Sequence, residues 1–524
     1  MLHECLMIIT VLYGTIFHLT SVSDGTNGAI DTEWYAFMSK NRLQLLLVGA
    51  ASMLSLGLGG CAAVPDLGPK PLPRDASSVA AERSFAGATE NWPGDQWWTA
   101  YADPQLNALI EEGLQNAPDM AVAAARFRKA LGMARQAGAP LAPTIDATGS
   151  ASLTKQSYNN GFPKEFVPKG WLDTGDLATS IGFDLDLWGK HKAELAAATS
   201  EVKAAQYDVR QARLVLATGI ADAYADLDRL YDERDIQDAT LKVRLASQNL
   251  VAQRQRNGLD TRGSVRQADA TVATARANLA AAEEAIVLRS NQIAALVGAG
   301  PDRGLALARP KLAAPAARGL PAGITTDLVA RRPDIAGALA RVEAAGSRIK
   351  VARADFFPAV RLDALIGLQS LGLDQLINKD SLYGHVGPAI SLPIFHGGAI
   401  SGQYRSVRAG YDEAVASYDA TVLNAYREVA DAVTSRSMLA RRLADARDAM
   451  HASQQAYDIA RLRYQGGLST YIDVLNVEDR LLIAREAVAV LEARAFSLDI
   501  ALVRSLGGGF HLSDVPDPKE DTHG

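Results

Sequence analysis

The chain has 524 residues, 48% of them hydrophobic and 21% charged, with a formal net charge of −6. That balance gives no basic surface for a nucleic-acid partner, and two cysteines exclude a disulfide framework. Past the N-terminal region no run of 18 apolar residues occurs, so no transmembrane helix is expected. A mean hydropathy of −0.01 is still compatible with a β-barrel, whose strands alternate apolar and polar residues.

Residues 1–37 contain an apolar stretch, Leu6 to Leu19, and read as an extension upstream of a second export signal, with Met38 as the expected start. Residues 38–60 have the layout of that signal. Lys40 and Arg42 precede the apolar runs Leu45–Val48 and Met53–Leu58, and Gly59-Gly60 follow. Leu58-Gly59-Gly60-Cys61 resembles the bacterial lipobox, which implies a covalent lipid on Cys61. Ala62 follows in place of the Asp that retains lipoproteins in the inner membrane. The alternative is an ordinary secretory signal that contains a cysteine. No other cofactor and no metal ligand set is expected.

Residues 61–90, rich in Pro and Ala, read as an extended tether. A first structural unit is expected over 91–298. After Pro143, Ile145, Ala147, Gly149, Ala151 and Leu153 alternate with Thr144, Asp146, Thr148, Ser150 and Ser152. A second period-two segment runs from Leu177 to Leu187, with Ala178, Ser180, Gly182, Asp184 and Asp186 on its polar face. From about 191 to 256 there is no Pro and one Gly, Gly219. Those 65 or so residues predict a rod about 98 Å long. Leu195, Val202, Val209 and Leu216 recur every seven, with Ala198, Ala205 and Ala212 between, as in a helix seam with small residues at alternate positions. Asn257-Gly258-Leu259 predicts a left-handed helix end, and a return helix closes at Gly298.

Residues 299–322 read as a linker, and a second unit spans 323–510 before a polar tail, 511–524. Pro333 fits a first helical position, and Asp334 complements the positive helix end. Phe356-Phe357-Pro358 marks a helix-to-strand corner. Two more alternating segments follow, Val360–Gln369 and Val386–Ile394, with Arg361 and Asp363 on a polar face. Next comes a long helix with Tyr404, Tyr411 and Tyr418 at every seventh position. A turn at Gly466-Gly467-Leu468 and a return helix to Gly507 complete the unit.

The two units carry the same landmarks in the same order. Pro118-Asp119 and Pro143 recur at one common offset as Pro333-Asp334 and Pro358. Gly258 and Gly298 recur at a second, nearly equal offset as Gly467 and Gly507. A repeat at a long fixed period implies two copies of one supersecondary unit. Each predicted strand has the length that crosses a bilayer when tilted, but four strands cannot close a barrel. A membrane reading therefore requires several copies, and three would supply twelve strands. The alternative is a pair of amphipathic hairpins in a soluble sandwich.

Taken together, these landmarks resemble TolC-type outer-membrane efflux proteins of the lipidated, NodT-like branch, over about residues 92–510. Trp97-Trp98, Asp103-Pro104 and Leu109-Ile110 are similar to its N-terminal signature. Arg331-Arg332-Pro333-Asp334-Ile335, Phe356-Phe357-Pro358 and the closing Leu506-Gly507-Gly508-Gly509-Phe510 are similar to its second-half signature. The resemblance implies an α+β membrane protein: a homotrimer with a twelve-stranded β-barrel, four strands per chain, continuous with a periplasmic α-helical barrel. It further implies a passive duct in the outer membrane. An inner-membrane pump of the resistance-nodulation-division type and a periplasmic adaptor would serve it, carrying small molecules outward. A duct for type I protein secretion and a lipid-anchored periplasmic scaffold are the competing readings.

Residue by residue, the resemblance makes Asp473 the acid at the pore constriction and Tyr464 a closing residue. Ser469 stands where a basic residue is found and Ser264 where a first-half acid is found. Asp473 is alternatively a helix N-terminal charge. Gly258, Leu259, Gly467 and Leu468 are expected at tips that meet the adaptor. Strand parity places Asp146, Asp184, Asp186 and Asp363 on the barrel lumen. There is no P-loop, HExxH or CxxC motif and no nucleophile–base pair in the sequence, so the chain is not read as an enzyme.

Overall fold

The computed structural model describes residues 64–75, 78–85, 89–313 and 319–514. The extension 1–37, the signal 38–60, Cys61 and the end of the tail lie outside the described residues.

The first half contains a two-residue strand β1 (Thr89–Glu90), helices α1 (Pro104–Asn116) and α2 (Pro118–Gly138), strands β2 (Thr144–Thr154) and β3 (Leu172–Asp184), and helices α3 (Lys190–Arg256) and α4 (Arg262–Leu296). After a short helix α5 (Pro301–Leu305) and strand β4 (Leu320–Pro321), the second half repeats the order. It runs through α6 (Ile324–Arg331), α7 (Pro333–Ala354), β5 (Ala359–Leu371), β6 (Leu382–Ser391), α8 (Ala399–Gln465) and α9 (Tyr471–Ser505). Both long helices have 67 residues and both return helices 35. At 1.5 Å per residue the longer pair reach about 100 Å. Pro118 and Pro333 each occupy the first helical position, where the missing N–H costs no hydrogen bond.

All four long helices end in the same way. Gly258, Gly298, Gly467 and Gly507 have φ between +74 and +87. In each case the glycine N–H and the next N–H reach back to two free carbonyls, as in Leu259 N to Arg254 O at 2.9 Å and Leu468 N to Arg463 O at 2.8 Å. The two 67-residue helices start after Gly189 and Gly398, both left-handed. The structural counterpart of Gly189 is thus Gly398.

β2, β3, β5 and β6 form one antiparallel sheet in that order. Register puts Thr148, Ala178 and Gly367 on one face, and Ile145, Ile181 and Ala364 on the other. β2 and β6 each pair on one side only. At the corner below the sheet Trp188 stacks on Phe357 at 4.7 Å and donates from Nε1 to Pro358 O at 2.6 Å. The predicted corner residues thus clamp strand to helix.

Two cores flank the middle of the helices. One gathers Trp97, Trp98, Tyr101, Leu109, Ile110 and Tyr224. The other gathers Phe85, Leu328, Ile335, Tyr411, Tyr418 and Val422. Asp103 caps α1 by accepting from Gln105 N, and also accepts from Tyr224 at 2.9 Å and Lys311 N at 2.8 Å. The seam predicted on α3 is only partly covered. Val202 and Leu216 are buried, but Leu195, Val209, Ala198, Ala205 and Ala212 are not fully covered.

The tether reading needs correction. Residues 64–75 have no regular structure, yet they lie docked along α8. Arg408 donates to Gly68 O (3.2 Å) and Pro69 O (2.5 Å), Tyr411 donates to Pro71 O (3.1 Å), and Arg74 N donates to Asp419 (2.8 Å). Thr89–Glu90 then pairs in parallel with Leu320–Pro321 inside the predicted linker. No sequence pattern warned of this docking, because the main chain of the tether makes these bonds and main-chain groups are nearly the same in every residue.

Arg332 is 6% exposed. It pairs with Asp334 (2.6 Å) and Glu428 (2.8 Å) and donates to Ser505 O (3.0 Å). One side chain thus ties α7, α8 and the end of α9. Beside it, a Cβ on Gly507 would overlap Arg331 O, and a Cβ on Gly298 would lie 2.5 Å from Asn116 O. Gly258 has a similar φ but open space. Gly507→Ala and Gly298→Ala should therefore each cost at least ~2 kcal/mol. Gly258→Ala should cost about 1 kcal/mol, from backbone conformation alone. Melting followed by circular dichroism in detergent gives the comparison; equal losses at all three sites would refute it.

Candidate functional site

The tips of the two helical hairpins lie side by side. Leu259 and Leu468 project from them, 64% and 73% exposed. Just inside, Tyr464 donates to Asp260 Oδ2 at 2.6 Å, and Arg254 lies 4.7 Å above the Tyr464 ring. Arg254 also sits 3.9 Å from Asp260 and donates to Gln465 O at 3.3 Å. Burial opposes ionisation of Asp260. Hydrogen bonds from Tyr464, Ser264 and Thr261, with the charge of Arg254, outweigh it and hold the carboxyl below its usual range. Burial, and then the bond to Asp260, push the Tyr464 hydroxyl well above its ordinary value. The two hairpins are joined here by a neutral donor on a carboxylate, with a cation across both.

Asp260 was not singled out from the sequence. It holds in the first tip the place that Ser469 holds in the second, one helical turn before Ser264. Laying one tip over the other would have exposed it as the displaced first-half acid. Ser264 itself closes the start of α4, its N–H donating to Thr261 Oγ1 at 3.1 Å. The Ser469 hydroxyl is buried without a hydrogen-bond partner.

Asp473 is exposed and forms a capping box with Thr470. It accepts from Thr470 N at 2.9 Å and from Thr470 Oγ1 at 2.8 Å. Those bonds, backbone first, hold its carboxyl below the usual range. Within one chain the helix-end reading of Asp473 thus describes its contacts, and the carboxylate remains open to solvent.

A second charged cluster lies deeper. Arg244 on α3, 6% exposed, approaches Glu478 Oε1 on α9 at 3.1 Å and pairs with Asp479 at 2.6 Å. Glu478 is 2% exposed, and neither of its oxygens accepts a well-aligned hydrogen bond. Tyr457 of α8 and Tyr471 of α9 pack in the same apolar cluster. No sequence motif marks this pair, because its partners belong to opposite halves of the chain and meet only through hairpin packing.

On the sheet, Asp146, Asp184 and Asp363 share the polar face. Asp146 pairs with Ser180 in register, Asp184 with Arg361, and Asp363 with Gly182. Asp363 is 3.4 Å from Arg361. Asp186 departs from the lumen expectation. The strand ends at Asp184, and Asp186, at φ +43, caps α3 by accepting from His191 N (2.9 Å) and Lys192 N (3.0 Å). Period-two alternation ran on past the strand because a capping acid happened to fall in phase. The other face carries Ile145, Ile366, Val386 and Ile390, all more than half exposed.

Burial pushes the Glu478 carboxyl up to about 7, against the pull of Arg244. A carboxyl whose folded value is raised binds its proton more tightly in the folded state. The fold is therefore favoured below the ordinary carboxylate range and loses stability as pH rises toward 7. Glu478→Gln should abolish that slope, leaving the variant's stability nearly the same at pH 5 and pH 8 while the parent's falls. Melting at pH 5 and pH 8 tests this; a parent protein equally stable at both would refute it.

Comparison with known proteins accounts for this architecture. The sequence profile described as "Outer membrane efflux protein" matches residues 109–299 and 325–508, one segment in each half. The fusaric acid resistance protein FusA of Burkholderia cepacia is 34% identical over 69% of each chain. The multidrug resistance outer membrane protein MdtP of Escherichia coli K12 is 30% identical over 82% of this chain and 90% of its own. Among solved structures, the outer membrane protein VceC of Vibrio cholerae superposes with a TM-score of 0.74 at 44% identity, covering 80% of this chain and 100% of VceC. The outer-membrane channel OprN superposes at 0.75 with 28% identity, covering 85% of this chain and 98% of OprN. With its open-edged amphipathic sheet set above two helical hairpins, the chain belongs to the outer membrane efflux protein family and resides in the outer membrane, with its helices in the periplasm.

Proposed function

We propose that the chain is the outer-membrane duct of a tripartite efflux pump. Three copies close a twelve-stranded barrel, and their helices continue it into the periplasm as a tube. The observation that carries this reading is the sheet itself. It has one apolar and one polar face, and both edge strands are open. Open edges cannot face lipid, and closure by further copies resolves them. Asp146, Asp184 and Asp363 then line the lumen. The matched halves, whose long helices have equal lengths and the same glycine ends, are the product of duplication.

Transport is passive in this reading. Energy comes from an inner-membrane pump of the resistance-nodulation-division type. A periplasmic adaptor docks at Gly258, Leu259, Gly467 and Leu468, where the exposed leucines offer apolar knobs. Cargo is small molecules, in keeping with relatives named for fusaric acid resistance, multidrug resistance and pyoverdine export. Tyr464 and Asp260 hold each chain's hairpins together at the tip, and three Asp473 carboxylates ring the constriction and favour cations. Ser469 and Ser264 add no charge to this gate.

Cys61 carries lipid and forms a second anchor in this scheme. It lies just ahead of the docked segment that begins at Val64. Metabolic labelling with radioactive palmitate should mark the parent protein and not Cys61→Ser. Label retained in the variant would remove Cys61 from the scheme.

Single-channel recording in planar bilayers tests the duct. The parent should give a small, cation-preferring conductance. Tyr464→Phe and Asp260→Asn should raise it several-fold, and Asp473→Ala should lower the cation preference. Because the Asp260 carboxyl is held low, the latch persists across neutral pH and is lost only as pH falls below the usual carboxylate range. Conductance should rise there. Silence with insertion confirmed would overturn the duct.

A further inference from the structure

Most partly covered arginines of α3 sit beside an acid. Arg229, Arg234, Arg244 and Arg254 approach a carboxylate to 2.8, 2.7, 2.6 and 3.9 Å. Arg210 and Arg213 break that pattern. Both are half-buried and lie three residues apart on one face. Neither forms an ion pair or a side-chain hydrogen bond with a described residue. A cation partly withdrawn from water with no acid beside it is unfavourable, and an anion at that place relieves it.

The two guanidinium groups line a cleft with a cavity of about 50 Å³, together with Trp97, Trp98, Gly508 and His511. Three segments meet there: the stretch before α1, the middle of α3 and the chain just after α9. They pack closely. A Cβ on Gly508 would lie 2.2 Å from Leu214 Cδ1, and one on Gly509 would lie 2.4 Å from the main chain of Gly94. The cleft is lined by donors. Trp98 is 2% exposed, and its Nε1 is buried with no hydrogen-bond partner. Trp97 Nε1 is 3.6 Å from the place a Cβ on Gly508 would take. An indole N–H can only donate. His511 Nδ1 accepts from Ser513 N at 3.1 Å, which leaves the ring proton on Nε2. Asp95, exposed on the rim, pairs with neither arginine.

We propose that Arg210 and Arg213, with the indole N–H groups of Trp97 and Trp98 beside them, form a binding site for a carboxylate. A guanidinium holds a carboxylate through paired N–H donors in one plane. The cavity has room for roughly one or two water-sized groups, so the carboxylate enters and the body of its owner stays outside. A phosphate dianion brings a second charge toward Asp95 and is disfavoured. Two sources carry the carboxylate chemistry. One is a separate periplasmic molecule with an acidic group. The other is the chain's own Asp517, Glu520 and Asp521, which follow His511 in the sequence. Either ties the stretch before α1, the middle of α3 and the end of α9 together at one point. The site is complete within one chain.

The test is iodide quenching of tryptophan fluorescence in the full-length protein in detergent. Trp171 and Trp188 are exposed and should be quenched in proportion to iodide. Trp97 and Trp98 are buried from collision, so iodide held at the arginines should add a component that saturates. Sodium formate at constant ionic strength should remove that component. Arg210→Gln/Arg213→Gln should abolish it, and each single variant should raise its half-saturation severalfold. Quenching by neutral acrylamide should be the same in all of them, showing that the indoles stay covered. Asp517→Asn/Glu520→Gln/Asp521→Asn separates the two sources. A severalfold lower half-saturation makes the tail the resident carboxylate, and an unchanged one assigns the site to a separate molecule. Strictly linear quenching in both the parent and the tail variant would overturn the site. A saturating component that formate leaves intact, or that survives unchanged in the arginine variants, would overturn it too.

Discussion

A β-sheet cannot stop inside hydrocarbon. Each unpaired N–H or C=O there costs several kcal/mol, and β2 and β6 each present a row of them. The sheet is otherwise well made for a bilayer, with strands of 10, 11 and 13 residues and one apolar face. The remainder of the molecule leaves both edges open. The two strand pairs are held side by side, β3 on β5. In the proposed duct, closure by further copies answers backbone hydrogen bonding before any side chain is considered.

The two halves share geometry and divide labour. Gly298 and Gly507 bring the ends of the return helices against Asn116 and Arg331 so closely that no Cβ fits. The second half adds Arg332, whose counterpart is Ala117, and with it a buried guanidinium that stitches three helices. The first half is completed differently, by Asp103 and Tyr224 around the tryptophan core. Two halves of matching element order thus carry two distinct sets of polar fastenings.

Polar groups are distributed unevenly along the long helices. At the tip a tyrosine, a carboxylate and an arginine hold the hairpins together. Further in, Glu478 and Arg244 are nearly sealed from water, and burial places the carboxyl near neutrality. A buried pair of this kind contributes little net stability and makes separation of α9 from α3 costly, since either charge left alone is heavily penalised.

Much of the design was written locally. Alternating residues marked the strands, proline and glycine marked helix starts and ends, and one constant offset tied Gly258 to Gly467 and Gly298 to Gly507. These signals are readable because each acts through the backbone of its own neighbourhood. Glu478 and the docking of residues 64–75 were not readable, Asp260 was readable only by laying one tip over the other, and Asp186 was misplaced. In the first three cases the function of a group depends on a partner far away in the chain; Asp186 was misread because a helix cap fell in phase with the strand. The sequence by itself determined the elements and their lengths, since periodicity and the backbone preferences of proline and glycine require no tertiary knowledge. Only the tertiary structure decided which acid meets Tyr464, which carboxylate is buried, and which arginines of α3 are left without an acid, because burial and ion pairing are properties of the packed hairpins.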